Sequence, residues 1–342
     1  MTRPCAALLF AACCTAGWAQ MTPEMRIVAD HITANSLRGD VSFLASDLLE
    51  GRDTPSRGLD IAGEYIASQF RRLGLEPVGD DGYFQTVALR PEDKDSPKSR
   101  NVAAILRGSD PRLQDSYVIL SAHYDHVGLA QSGEDRVFNG ANDDASGTAA
   151  VLEVANALAA LHPRPKRSVL FILFCGEEKG LRGSSYYAMH PLAPLSKTVA
   201  QLNLEQLGRT DAPQGPRLNS ANVTGFDYSD MVPILVNAGK RVGIAVTKIA
   251  EASDKYFNLS DNGPLAAAGV PAHTLSVTYD FPDYHAVGDE WQKIDYDNMA
   301  KVDQAVGIAT LRLAQAPTTP HWNDRDPAAK PFAEAAKKLH GQ

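Results

Sequence analysis

The stretch that most constrains the fold is an unbroken apolar run, Val169-Leu170-Phe171-Ile172-Leu173-Phe174. It leads through Cys175 and Gly176 into two adjacent carboxylates, Glu177 and Glu178. The run lacks the alternation of a half-exposed strand. It predicts a strand covered on both faces, the pattern of a parallel sheet held between helices. Two carboxylates at the end of a buried strand are costly neighbours unless positive charge lies beside them. In open α/β sheets, strand ends are where ligands and metals collect. Taken alone, the segment reads equally well as a strand running into a solvated acidic loop.

Other segments shift that balance. Tyr117–Ala122 is a second apolar run, ending in His123-Tyr124-Asp125-His126. The polar loop Phe138–Gly147 carries Asp143 and Asp144. Val199–Leu204 ends in Glu205, and Asp280–His285 adds a late histidine. Several segments thus present imidazole or carboxylate at strand ends. That inventory suits a hard or borderline divalent ion, and zinc accepts this mixture of nitrogen and oxygen.

The chain has 342 residues, 44% of them apolar, enough for one large core. A net charge of -8 and the lack of a basic cluster argue against a nucleic-acid partner. Residues 1–19 read as a signal peptide: Arg3, then the apolar Ala6–Ala12, then Gly17 and Ala19 before a cut. The stretch is too short for a lasting transmembrane span. The protein is therefore expected to be exported, periplasmic or secreted. A lipid-anchored form cut before Cys13 is the alternative, although Phe10 suits that signal poorly. Cys5, Cys13 and Cys14 lie in or near the leader, so Cys175 is left without a disulfide partner. Beside the carboxylate pair it reads as buried packing.

Helices are expected over 41–49, capped by Asp40, and over 59–73, closed by Gly74. Strands follow at 84–89, 101–107 and 117–122, the last two as neighbours. A helix over 146–161 packs on the sheet, with further strands at 169–174, 199–204, 245–249 and 272–277. Helices at 228–242 and 297–313 complete the pattern. Residues 211–226 read as loop, and 316–342, rich in proline, alanine and charge, as a loosely ordered tail. Strand–helix alternation over 26–315 makes one domain.

The order His123-Tyr124-Asp125, Gly140–Gly147 around Asp143, Gly176–Ser184 around Glu177-Glu178, Asn203-Leu204-Glu205, Ser260-Asp261 and Tyr284-His285 followed by Asp289 resembles peptidase family M28. These are the co-catalytic two-zinc aminopeptidases, and the likeness runs over about 35–315. It implies a single-domain three-layer α/β sandwich, with a mostly parallel mixed sheet and helices on both faces. It also implies two zinc ions, with other divalent ions as alternatives. His123, Asp143 and Glu205 would hold the first ion. Asp143, as the bridge, would hold the second with Glu178 and His285. Glu177 would be the general base. Asp125 would orient His123, and Asp144, Asp261 and Asp289 would support the site from behind. The family's cis peptide falls at Asp143–Asp144.

Two departures from the family stand out. Glu205 occupies a position that is usually aspartate, and Asn262 one that is usually histidine. Tyr256, Phe257 and Asn262 are candidates for the substrate pocket, with segments 124–138, 211–226 and 251–258 as its expected lining. His126 and His273 match no family role and read as ordinary histidines. The implied activity is hydrolysis of the N-terminal peptide bond of peptide substrates. A carboxypeptidase or dipeptidase on the same fold is the alternative, and a glutaminyl-cyclase-like acyltransferase a more distant one. Oligomeric state is not legible.

Overall fold

The computed structural model of the protein describes residues 21–341, so the expected signal peptide lies outside the described residues. Helices α1 (Pro23–His31), α2 (Ala34–Leu44) and α3 (Arg57–Arg72) come first. Strands β1 (Glu76–Pro77), β2 (Phe84–Ala88), β3 (Lys98–Leu106) and β4 (Tyr117–His123) follow. Next are α4 (Ser146–Ala159), β5 (Ser168–Phe174), α5 (Arg182–Met189), β6 (Thr198–Leu204) and β7 (Ser220–Val223). The chain continues through α6 (Val232–Val242), β8 (Ala245–Thr247), α7 (Ala250–Lys255), α8 (Asn262–Ala267) and β9 (Ala272–Ser276). It closes with α9 (Tyr296–Gln315) and α10 (Lys330–Leu339).

One mixed sheet runs in the order β1-β3-β5-β4-β6-β9-β7-β8, with β2 also paired to β3. Its centre, β5-β4-β6-β9, is parallel. The flanks β1, β2 and β3 and the β9–β7 pair are antiparallel. β4 and β5 are buried at every position. Val118, Leu120, Val169, Phe171 and Leu173 enter the core under α1–α4, α6 and α9. Ile119, Leu170, Ile172 and Phe174 enter a second core under α5, α8 and α10. The absence of alternation in the apolar run is thus explained by two cores, one on each face. Each large side chain so buried contributes about 1.5–3 kcal/mol. The result is a three-layer α/β sandwich. No helix among the described residues is long and apolar enough to cross a membrane.

Four expectations are corrected. Asp40 lies inside α2 and accepts from the Tyr65 hydroxyl at 2.6 Å. The helix starts instead at a reciprocal Thr33–Ser36 capping box, which satisfies its first N–H groups. β3 and β4 are not neighbours, because β5 enters between them, antiparallel to one and parallel to the other. The crossover through α4 returns the most apolar strand to the sheet centre. Segment 211–226 contains β7, a strand too short to show a period, held by pairing to β8 and β9. Finally, the tail docks. Trp322 Nε1 donates to the Gly269 carbonyl at 3.0 Å, and its ring packs against Phe257, His273 and Phe332. The apolar face of α10 (Phe332, Ala333, Ala336, Leu339) covers the second core. Averaged composition hides those few well-spaced side chains.

Candidate metal centre

The parallel strands end on the same side of the sheet, so their C-terminal residues converge. β4 delivers His123, the turn after β5 delivers Glu177 and Glu178, and the residue after β6 is Glu205. The loop before α4 brings Asp143, and the loop between β9 and α9 brings His285.

Asp143 lies at the middle. Its Oδ1 is 3.4 Å from His123 Nε2. Its Oδ2 is 3.2 Å from His285 Nε2 and 3.9 Å from His126 Nδ1. Glu178 Oε1 is 3.0 Å from both His126 Nδ1 and His285 Nε2. One ligand atom from each of His126, Asp143, Glu178 and His285 lies within 4.8 Å of the others. Three carboxylate oxygens, both of Asp143 and one of Glu178, therefore face imidazole nitrogens. A divalent ion bonded to such atoms at about 2.0–2.2 Å holds them at comparable separations. The donor set fits one or more divalent ions.

The supporting shell is dense. His123 Nδ1 lies 3.2 Å from the Asp125 carbonyl and 3.6 Å from its carboxylate. That carboxylate accepts from Thr54 Oγ1 at 3.0 Å and from the Glu177 N–H at 3.2 Å. It thereby ties β4 to the Glu177 turn and orients the imidazole. Asp289 accepts from the Asn142 and Asp143 N–H groups at 3.0 and 3.1 Å and so holds the Asp143 loop. Asp144 caps α4 through the Gly147 N–H at 2.9 Å and also accepts from the Gln206 N–H. The Asp143–Asp144 peptide is cis. Arg52, fully buried, donates to the carbonyls of Tyr124, Leu44, Asn139 and Gly140. Asp261 is fully buried behind the site, and burial pushes its carboxyl up to about 7.

The electrostatics follow the same geometry. Burial opposes charge on Asp143, but hydrogen bonds from His123 and His285 hold it below the ordinary carboxylate range. The same pair of effects, with His126 and His285 as donors, lowers Glu178. Burial pushes Glu205 up to about 7 and Asp289 up to about 6. Burial pushes Glu177 well above the usual range, against the pull of His123 and with added repulsion from Glu205, Asp261 and Glu178. The two adjacent glutamates thus differ sharply. The histidines pair with Glu178 and Asp143 and leave Glu177 to the cleft.

The cleft, about 120 Å³, is lined by Asp143, Glu177 and Glu178 together with Thr224, Tyr256, Leu259, Ser260, Thr274, Tyr279 and Tyr284. Glu205 lines it too and accepts from the Ser260 hydroxyl. Of the proposed pocket residues only Tyr256 reaches it. Phe257 is buried in the second core against Tyr228, His273 and Trp322. Asn262 is fully buried, donating to the Phe257 carbonyl and accepting from Thr274 Oγ1. An amide meets both partners at once, and this geometry leaves it no role in the cleft wall. Segment 124–138 contributes nothing to the lining, 211–226 contributes Thr224, and 251–258 contributes Tyr256.

Three residues lay beyond the sequence reading. His126, which matches no family role, enters the cluster. The repeat of histidine three residues after His123 was the available signal. His126 Nε2 is buried with no hydrogen-bond partner, at a cost of about 1–3 kcal/mol. Arg52 and Thr54, between the helices expected over 41–49 and 59–73, carry no role in the sequence pattern. Their roles depend on long-range packing, and nothing local announces it. His273 is ordinary in the expected sense: neutral and buried, it lies between Ser229 Oγ and the Thr224 carbonyl. Cys175 is buried, and burial pushes its thiol up.

Residues 101–310 match the model of peptidase family M28. A protein of Pyrenophora teres f. teres described as a probable zinc metalloprotease is 27% identical to this chain, over 87% of this chain and 70% of its own length. The structure of the LapA aminopeptidase of Legionella pneumophila superposes with a TM-score of 0.66 at 17% identity, covering 87% of this chain and 76% of that one. The glutaminyl cyclase of Porphyromonas gingivalis superposes with a TM-score of 0.61 at 18% identity, covering 82% and 97%. Proteins described by different activities share this architecture, so the fold alone does not choose between them.

Proposed function

The chain belongs to peptidase family M28, and from that premise we propose that it is a metal-dependent aminopeptidase using two divalent ions, zinc foremost. The observation that carries the proposal is Asp143, whose two oxygens face separate ligand groups. His123 and Glu205 would complete one ion's protein ligands; Glu178 and His285 would complete the other's. Bound there, the ions would supply a water acidic enough to lose its proton near neutral pH and positive charge beside the peptide carbonyl.

The chain's own residues do the rest. Glu177 lines the cleft, its backbone held by Asp125 and its side chain free of the histidines. It is placed to take the proton from the attacking water and return it to the leaving nitrogen. Asp125, with Thr54 behind it, keeps His123 in one orientation. The direction of attack rests on charge. No lysine or arginine lines the cleft among the described residues, whereas Glu177, Glu178 and Glu205 do. The protein thus offers no cation to hold a substrate's α-carboxylate, whereas a cleft carboxylate oxygen not bound to an ion can accept from a free α-amine. Export directed by residues 1–19 is part of the same proposal and is checked by N-terminal sequencing of the mature protein.

The test compares short peptides with free and with acetylated N-termini. Zinc-dependent release of N-terminal residues from the free peptides alone is the expected result. Release from the C-terminus, or pyroglutamate formation from N-terminal glutamine, would replace the proposal with one of the two other activities.

A further inference from the structure

We propose that His126 is a fourth protein ligand, so that the two ion positions are unequal: one closed and filled first, the other open to the cleft. The inference rests on the metal-dependent reading above. Its ground is the placement of four donor atoms. His126 Nδ1 and His285 Nε2 each lie 3.0 Å from Glu178 Oε1. Asp143 Oδ2 lies 3.2 Å from His285 Nε2 and 3.9 Å from His126 Nδ1. Tetrahedral bonds of about 2.0–2.1 Å set ligand atoms roughly 3.3 Å apart. Four of the six separations thus run from 3.0 to 3.9 Å and all lie within 4.8 Å, so the four atoms, all from protein, gather around one point.

The ring of His126 is built into place. It is fully buried. Its backbone N–H donates to the Arg52 carbonyl at 3.1 Å. A Cβ on Gly140, which has φ +58°, would lie 2.5 Å from His126 Cγ, so that glycine leaves room for the imidazole. Nε2 has no partner, so Nδ1 is the nitrogen through which the ring is held. Nε2 stays without a partner in either case, so the ground for ligation is the place of Nδ1, 3.0 Å from Glu178 Oε1 and 3.9 Å from Asp143 Oδ2.

Zinc shells made of four protein ligands are closed, and those made of three keep a place for water or substrate. His126, Asp143, Glu178 and His285 make a shell of the first kind. His123, Asp143 and Glu205 make one of the second. The cleft agrees with this division. It is lined by all three of His123, Asp143 and Glu205; of the other shell Asp143 and Glu178 reach it, while His126 is buried behind it and His285, 36% exposed, lies outside its lining. Substrate therefore meets the open position, and the closed one holds Asp143 and Glu178 in place.

The test is X-ray absorption on the metal-free protein given one equivalent of zinc, with a chelator-competition titration beside it. The expected result is two imidazoles per zinc in the wild type and one in His126→Gln, whose amide can still donate to Glu178. Titration should show two affinity classes at least tenfold apart, with only the weaker lost in His123→Ala. One imidazole per zinc in the wild type, or two positions of equal affinity, would overturn the inference while leaving the metallopeptidase reading intact. Failure to bind any zinc would instead remove the reading on which it rests.

Discussion

At the residue scale, the proposed mechanism divides the work between Asp143 and Glu177. Replacing Asp143 by alanine removes the one side chain facing both ligand groups, and ion content should fall to one equivalent or less by elemental analysis. Glu177→Gln keeps shape and removes the basic oxygen. Zinc content should stay near that of the wild type while kcat drops by about 10²–10⁴, the usual contribution of a positioned acid–base group. Unchanged kcat with full zinc would remove Glu177 from its role. Thr54→Val tests the support of Asp125. It deprives one carboxylate oxygen of its 3.0 Å donor without touching a ligand. Zinc affinity should weaken, by less than the roughly 10- to 100-fold seen when a ligand's direct partner is removed, because Thr54 acts through Asp125. That is read by chelator competition.

At the element scale, the helices beneath the site carry an electrostatic burden of their own. Asp303 on α9 is fully buried, with neither carboxylate oxygen hydrogen-bonded. Burial, with Glu153 on α4 and Asp40 on α2 nearby, pushes its carboxyl well above the ordinary range. Burial pushes Asp40 up to about 6. Such groups bind protons more tightly in the folded state than in the unfolded one. Their contribution to stability is full below the unfolded carboxylate value of about 4 and is lost as pH rises through the folded value. Asp303→Asn should therefore be near neutral at pH 4 and raise Tm increasingly toward pH 8. A constant Tm difference across that range would show that Asp303 is not held protonated. The C-terminal segment behaves as an element too. Trp322 fills the second core, so Trp322→Ala should cost about 3–5 kcal/mol in denaturant unfolding. A cost near zero would return the segment to the loose tail that its composition suggests.

For the whole molecule, strand order and site are one fact. The parallel strands β4, β5 and β6 aim their C-terminal ends at one place, and the loops before α4 and after β9 close over it. The charge gathered there exceeds what Arg52 and the histidines offset, so bound ions should stabilise the fold and chelation should lower Tm reversibly. The chain itself specified much of this. A six-residue apolar run without alternation requires a strand buried on both faces, because burial of alternate residues in two cores is what such a run offers. The spacing of His123, Asp143, Glu178, Glu205 and His285 carries the family pattern, since residues at strand ends keep their order whatever the loops do. Tertiary structure alone decided the rest. β5 entered between β3 and β4, Phe257 and Asn262 turned into the second core, Trp322 docked on Gly269, and His126 came to face Glu178. Each depends on contacts between residues far apart in the chain, whose energies no local pattern records.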